Sequence, residues 1–159
     1  MVEMRLATEN DRESIFEFFK NLTLFHLEGF EGIMKLKPYS EERTGKKLDT
    51  FLNNDDKAGI IIAENEDEIL GVLGFYIESY GELANFDYEH YMEIDRIIVK
   101  DKMRGSRIGE KLIQEAERLA SIMGIKRMQL ELAIFNEKAE KFYDRLGYKC
   151  YIRILAKDI

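Results

Sequence analysis

A chain of 159 residues, 45% hydrophobic and 35% charged, has the size and make-up of one folded domain over 1–159 with one sizeable core, and excludes a disordered segment. A net charge of −7 argues against a general nucleic-acid binder, which needs a basic surface, and is compatible with a cationic acceptor such as an amine. No apolar run could span a bilayer, no basic-then-apolar leader opens the chain, and one cysteine with two histidines makes neither a disulfide nor a structural zinc set, so a cytoplasmic, metal-free protein away from membranes is expected.

In chain order, VEMRLAT alternates and predicts an edge strand. Asn10 or Thr8 then caps a helix whose Ile15, Phe16, Phe18, Phe19 and Leu22 make one wide apolar face. The stretch 25–38, with its glycines and the sole proline, Pro38, reads as a loop or short helix. Ser40 opens a helix over 40–54, with Glu41 and Glu42 where the helix dipole favours acids. AGIIIAE (58–64) and EILGVLGFYIES (68–79) predict a hairpin of strands around a short polar connection. The 81–87 loop leads to a third strand, YEHYMEIDRIIVK (88–100). A long helix from Gly105 presents Ile108, Leu112, Ile113, Ala116, Leu119 and Ala120 on one side, and Gly124 stops it. KRMQLELAIF (126–135) returns to strand, NEKAEKFYDRLG (136–147) is a short helix, and YKCYIRILAK (148–157) alternates as a final strand. Strands and helices interleaved in this way imply a mixed sheet and an α/β class.

The segment RGSRIGEKLI (104–113) lies between the third strand and the long helix. The first amides of a helix lack internal acceptors, and the dipole adds partial positive charge, so a diphosphate can dock there if no side chain crowds it. Arg104 and Arg107 add full charges, and Gly105 and Gly109 keep the approach open, but Arg107 stands where a further glycine is expected. If Arg107 takes right-handed helical angles, it fits without strain.

IDRIIVKDKMRGSRIGEKLI, followed by LELAIFNEKAEKFYDRLGYK and preceded by MRLATENDRESIFEF, resembles in order the motifs of the GNAT superfamily, the acyl-CoA-dependent N-acyltransferases. The resemblance implies a mixed, mostly antiparallel sheet of roughly six to seven strands with about four helices. It implies acetyl-CoA as the acyl donor and direct transfer to a primary amine of a small molecule or peptide. By position, Ile97, Ile98 and Val99 correspond to the residues that offer backbone groups to pantetheine. Arg104, Gly105, Ser106, Arg107, Ile108 and Gly109 correspond to the pyrophosphate loop, Asn136 to a cofactor contact and Tyr143 to the general acid. The segment 25–54 corresponds to an acceptor wall, and a homodimer is compatible with the resemblance.

Acetyl transfer to an amine needs a neutral nucleophile, and an amine with a pKa of about 10.4 is almost wholly protonated at neutral pH, so a base is valuable. Glu93, Glu131 and Asp95 match positions that serve as base in different branches of the superfamily, with Glu93 favoured. On a regular strand, Glu93 and Asp95 share a face with Tyr91, Ile97 and Val99. Tyr143 also has a packing interpretation, since Ala139, Phe142 and Leu146 flank it at helical spacing. His26, His90 and Cys150 read as structural or exposed residues. A different class, an acyl-CoA-binding regulatory domain without turnover, shares the same motifs. The acceptor remains open among polyamines, other small amines, protein N-termini and lysine side chains.

Overall fold

The computed structural model describes residues 1–53, 56–82 and 85–159. Asn54, closing the predicted 40–54 helix, and Leu83 and Ala84, in the predicted 81–87 loop, lie outside the described residues.

The isoleucine-rich run at 58–64 is buried on both faces, which is why it reads as almost continuously apolar. It forms β2 (Ala58–Glu64), flanked by β1 (Glu3–Leu6) and β3 (Ile69–Ser79). β4 (His90–Val99) and β5 (Met128–Leu130) complete a five-stranded sheet in the order β1-β2-β3-β4-β5. The first four strands are antiparallel neighbours, whereas β5 joins β4 in parallel. That parallel step needs a crossover, supplied by α3 (Ile108–Ile122). The other helices are α1 (Arg12–Gly29), α2 (Glu41–Leu52) and α4 (Glu137–Arg145).

Helices cover both sheet faces. On one, Ile61, Leu73, Met92 and Ile94 meet Leu112, Ile113 and Ala116 of α3 and Tyr143 of α4. On the other, Ile60, Ile62 and Val72 meet Ile15, Phe18 and Phe19 of α1 and Leu48 and Phe51 of α2.

Local chemistry sets several boundaries. Thr8, not Asn10, opens the turn into α1: its amide donates to the Asp11 carboxylate over 2.8 Å, while Asn10 lies inside a short 3-10 turn. Ser40 caps α2 by accepting from the Arg43 amide over 3.2 Å. The Asn65 side chain accepts from the Asp67 and Glu68 amides, at 3.0 and 2.9 Å, and closes the β2–β3 hairpin. α1 runs to Gly29, so the first part of the ambiguous 25–38 stretch is helix.

Three expectations are corrected. β5 is three residues long, not the whole of 126–135. The alternating segment 148–157 forms no strand, and residues 149–159 are exposed. The sheet therefore has five strands among the described residues rather than six or seven. An alternating segment needs a partner edge, and β5 offers a short one; the tail meets it through side chains instead, with the Tyr151 hydroxyl 2.7 Å from Gln129 Oε1. No helix among the described residues is long and apolar enough to cross a membrane.

Candidate functional site

β4 carries an extra residue. Phe75 of β3 faces Ile94 and Gly74 faces Arg96, so Asp95 is bulged out of the ladder. A bulge re-aims the side chains that follow it. Ile97 and Val99 pack into the α3/α4 core, whereas Ile98 packs with α1 and α2. Asp95 reaches Lys47 of α2, and Arg96 lies over the Phe19 ring of α1 at 4.2 Å. The expectation that Glu93 and Asp95 share a face with Ile97 and Val99 is thus overturned: the bulge puts the acidic pair on the α1/α2 side, together with Arg96.

The parallel pairing of β4 with β5 spans Met92↔Met128 to Ile94↔Leu130 and ends there. β4 continues to Val99, bonded to β3 on its other edge. Backbone groups of Asp95–Val99 facing away from β3 therefore have no strand partner among the described residues. A gap opens in the sheet where the strands part, and it runs toward the start of α3.

That helix start is uncapped by any side chain. Its first internal bond runs from the Lys111 amide to the Arg107 carbonyl at 3.0 Å, which leaves the amides of Ile108, Gly109 and Glu110 without helical acceptors. Gly105 has φ 82, and Arg107 has φ 65 and ψ 13. Arg107 is the one non-glycine residue at positive φ among the described residues. The right-handed angles expected for it are therefore corrected; the chain must reverse sharply from turn to helix, at a cost of about 1–2 kcal/mol for an L-residue. Ser106 donates its hydroxyl back to the Met103 carbonyl, and Arg104 pairs with Asp101 at 2.6 Å. Gly109 packs close to α4, since a methyl there would sit 3.4 Å from the Phe142 ring. Free amides that directly follow a turn with two left-handed residues, with arginines beside them, fit a diphosphate.

Across the gap, Asn136 caps α4 by accepting from the Ala139 amide over 3.2 Å. Tyr143, about two turns further on, is 8% exposed and lies beside Phe142 and Tyr148, with ring centroids 5.1 and 5.5 Å away. Burial pushes its phenol pKa well up, with the neighbouring Tyr148 adding to the effect. The ring is core, as the packing interpretation has it, and its burial keeps the proton on.

The carboxylates separate clearly. Glu93 is half-buried and its pKa is raised, first by loss of water and then by the charges of Glu131, Asp95 and Glu78, against a lowering by the Gln129 amide. Asp95 is engaged by two cations, Lys47 and Arg96, each at 2.7 Å. Glu131 lies just past the end of β5 and is exposed. Gln129, opposite Glu93 in the parallel register, accepts at Oε1 from the hydroxyls of Tyr80 and Tyr151, both at 2.7 Å. Tyr80 also packs on Tyr91, with centroids 4.4 Å apart.

Sequence reasoning missed Gln129, Lys47, Arg96 and Phe135. The first three come to the site through strand register and the bulge, which no local pattern displays. Phe135 lies on the last turn of α1, where a methyl at Gly29 would be 2.2 Å from its ring. Phe25 and Phe30 flank it at 5.6 and 4.9 Å, and His26 at 6.1 Å. The His26 pKa is lowered by burial and then by Arg96, with Asp95 opposing.

A sheet that parts beside an open helix mouth is the framework implied by the acyl-CoA-dependent N-acyltransferase motifs. The profile of the Acetyltransferase (GNAT) family matches residues 24–148, and the chain belongs to that family. Its chemistry is accordingly acyl transfer. The chain is similar to the aminoalkylphosphonate N-acetyltransferase of Salmonella typhimurium, 26% identical over 147 residues that cover 92% of this chain and 84% of that one. An uncharacterized N-acetyltransferase of Archaeoglobus fulgidus is 25% identical over 142 residues, 89% of each chain. The structure of the aminoglycoside N-acetyltransferase AAC(6')-Iy in complex with CoA shares the fold, with a TM-score of 0.79 and 15% identity over 100% of this chain and 95% of that chain.

Proposed function

We propose that the protein transfers an acetyl group from acetyl-CoA directly to a primary amine of a small molecule or peptide. The observation that carries this reading is the end of β4–β5 pairing at Ile94, with β4 continuing to Val99 beside the uncapped start of α3. In this reading the amides of Ile108–Glu110 hold the diphosphate with the rest of the Arg104–Gly109 loop, and the backbone of Ile97, Ile98 and Val99 receives the pantetheine arm. Asn136 spends its side-chain oxygen on the α4 cap, which leaves its amide nitrogen for the donor. Acetyl-CoA, when bound, supplies a thioester and a thiolate leaving group.

Glu93 is the base. Its raised pKa makes it a better proton acceptor than an ordinary carboxylate, and Asp95 is held by two cations. Glu131, exposed and close enough to raise Glu93, is the secondary choice. Tyr143 donates a hydrogen bond where the leaving sulfur lies. A phenol with its pKa raised by burial surrenders its proton less readily, so hydrogen bonding and not complete transfer is its contribution.

The test is thiol release from acetyl-CoA with a panel of primary amines. Amine-dependent release is expected; acetyl-CoA binding without it would overturn the catalytic reading in favour of a binding domain. Tyr143→Phe is expected to lower kcat roughly tenfold to a hundredfold, the value of one hydrogen bond to a charged group, while acetyl-CoA affinity changes little. An unchanged kcat removes the assigned role.

A further inference from the structure

We infer that the acceptor amine carries an anionic group, a carboxylate or a phosphonate, which Arg96 and Lys47 hold while the amine meets Glu93. The inference rests on the acetyl transfer proposed above and names the acceptor for that same site.

The bulge brings the parts together. Because Asp95 is the extra residue, Asp95 and Arg96 leave the strand on the same side as Glu93 and Tyr91. Asp95 meets Lys47 Nζ with one oxygen and Arg96 Nε with the other. One carboxylate against two cations leaves a net positive charge, on a chain whose overall charge is −7. The guanidinium spends Nε on Asp95, and its planar fork suits a second oxyanion.

Both cations are fixed before any acceptor arrives. Arg96 lies on Phe19, and Lys47 sits 4.9 Å from the Tyr76 ring centre and 5.4 Å from that of Phe51. The side chains are 14% and 35% exposed, so they are reachable yet poorly hydrated, which strengthens their pull on an anion. The surplus charge is felt locally: at His26 the effect of Arg96 exceeds the opposing effect of Asp95.

The other end of this face is negative. Glu93 feels the negative charges of Glu131, Asp95 and Glu78. Three positions of β4 separate Glu93 from Arg96, about 7–10 Å at the usual rise per residue. After allowing a hydrogen bond at each end, an amine and an anion separated by roughly two to four carbons fit that span. A diamine of this length would press its second ammonium against Lys47 and Arg96.

The experiment compares four amines of matched length with acetyl-CoA: an ω-amino carboxylate, an aminoalkylphosphonate, an n-alkylamine and an α,ω-diamine. At least one anionic amine is expected to exceed the alkylamine in kcat/KM by about tenfold or more, and the better of the two identifies the anion. Arg96→Gln and Lys47→Gln should each raise KM for the anionic amine and bring its ratio to the alkylamine toward one. Lys47 lies on a partly exposed helix face, so its variant remains informative if Arg96→Gln does not fold. A diamine or alkylamine acetylated as well as both anionic amines overturns the inference and leaves acetyl transfer standing. An unchanged ratio in the folded variants also overturns it. No acetylation of any amine removes acetyl transfer and this inference together.

Discussion

The two faces of β4 differ more than their shared strand suggests. Toward α3 and α4 it presents Met92, Ile94, Ile97 and Val99, all apolar. Toward α1 and α2 it presents Tyr91, Glu93, Asp95, Arg96 and Ile98, three of them carrying carboxyl or guanidinium groups. The apolar face makes the core on which α3 rests, and so sets where the open helix mouth lies. The charged face packs too, with Arg96 on Phe19 and Ile98 against the α1/α2 core, but it carries its ionisable groups there as well. A single inserted residue lets one strand serve both purposes, since it exchanges the faces without ending the ladder with β3.

The strongest way to break the apolar face is Leu112→Ala. Leu112 is fully buried in that core, and urea unfolding is expected to show a loss of about 2–5 kcal/mol. On the charged face, Glu93→Gln is expected to lower kcat/KM toward amines about a hundredfold. The same variant should melt higher than the parent at neutral pH. Burial raises the folded carboxyl above its ordinary value of 4.5, so its favourable contribution is complete below that value and is lost as pH rises through the raised one. Melting the pair at pH 4 and pH 7 checks this: the advantage of glutamine should shrink on acidification.

Smaller effects sharpen the same contrast on the donor side. Tyr148 has its hydroxyl buried without a partner among the described residues, and its pKa is pushed up to about 12, first by burial and then by Glu117. Tyr148→Phe is expected to stabilise by about 1 kcal/mol in denaturant titration. Arg107→Gly relieves the left-handed strain but frees the unfolded chain, for a net gain of about 0.5 kcal/mol. Acetyl-CoA affinity measured by calorimetry should stay within about fivefold, because the amides of the loop remain.

Much of the framework was legible in sequence. Apolar spacing marked α1, α3 and α4, Ser40 with its acidic first turn marked α2, and a short polar connection separated the two inner strands, because short-range chemistry fixes such features. The motif order singled out Asn136 and Tyr143, which lie at the cap and in the buried face of α4. What escaped depends on partners distant in the chain. The bulge exists because β3 slips by one residue against β4 at Gly74 and Phe75, and period-two reading of β4 alone cannot contain it. Arg107 reads as an ordinary helix-opening residue, and only the closure of turn onto helix forces its φ positive. The tail alternates like a strand, but alternation states which side would be buried, not whether an edge is available.

The contact of Phe135 with Gly29 has a mechanical consequence. With no side chain between them, the ring and the last turn of α1 are seated directly on one another, and the residue after Phe135 is the cap of α4. The end of the first long helix is thereby fastened to the start of the last one. Prising the two apart would tug on the cap of the helix that carries Tyr143, so the packing of one end of the molecule is tied to the other through a single bare backbone.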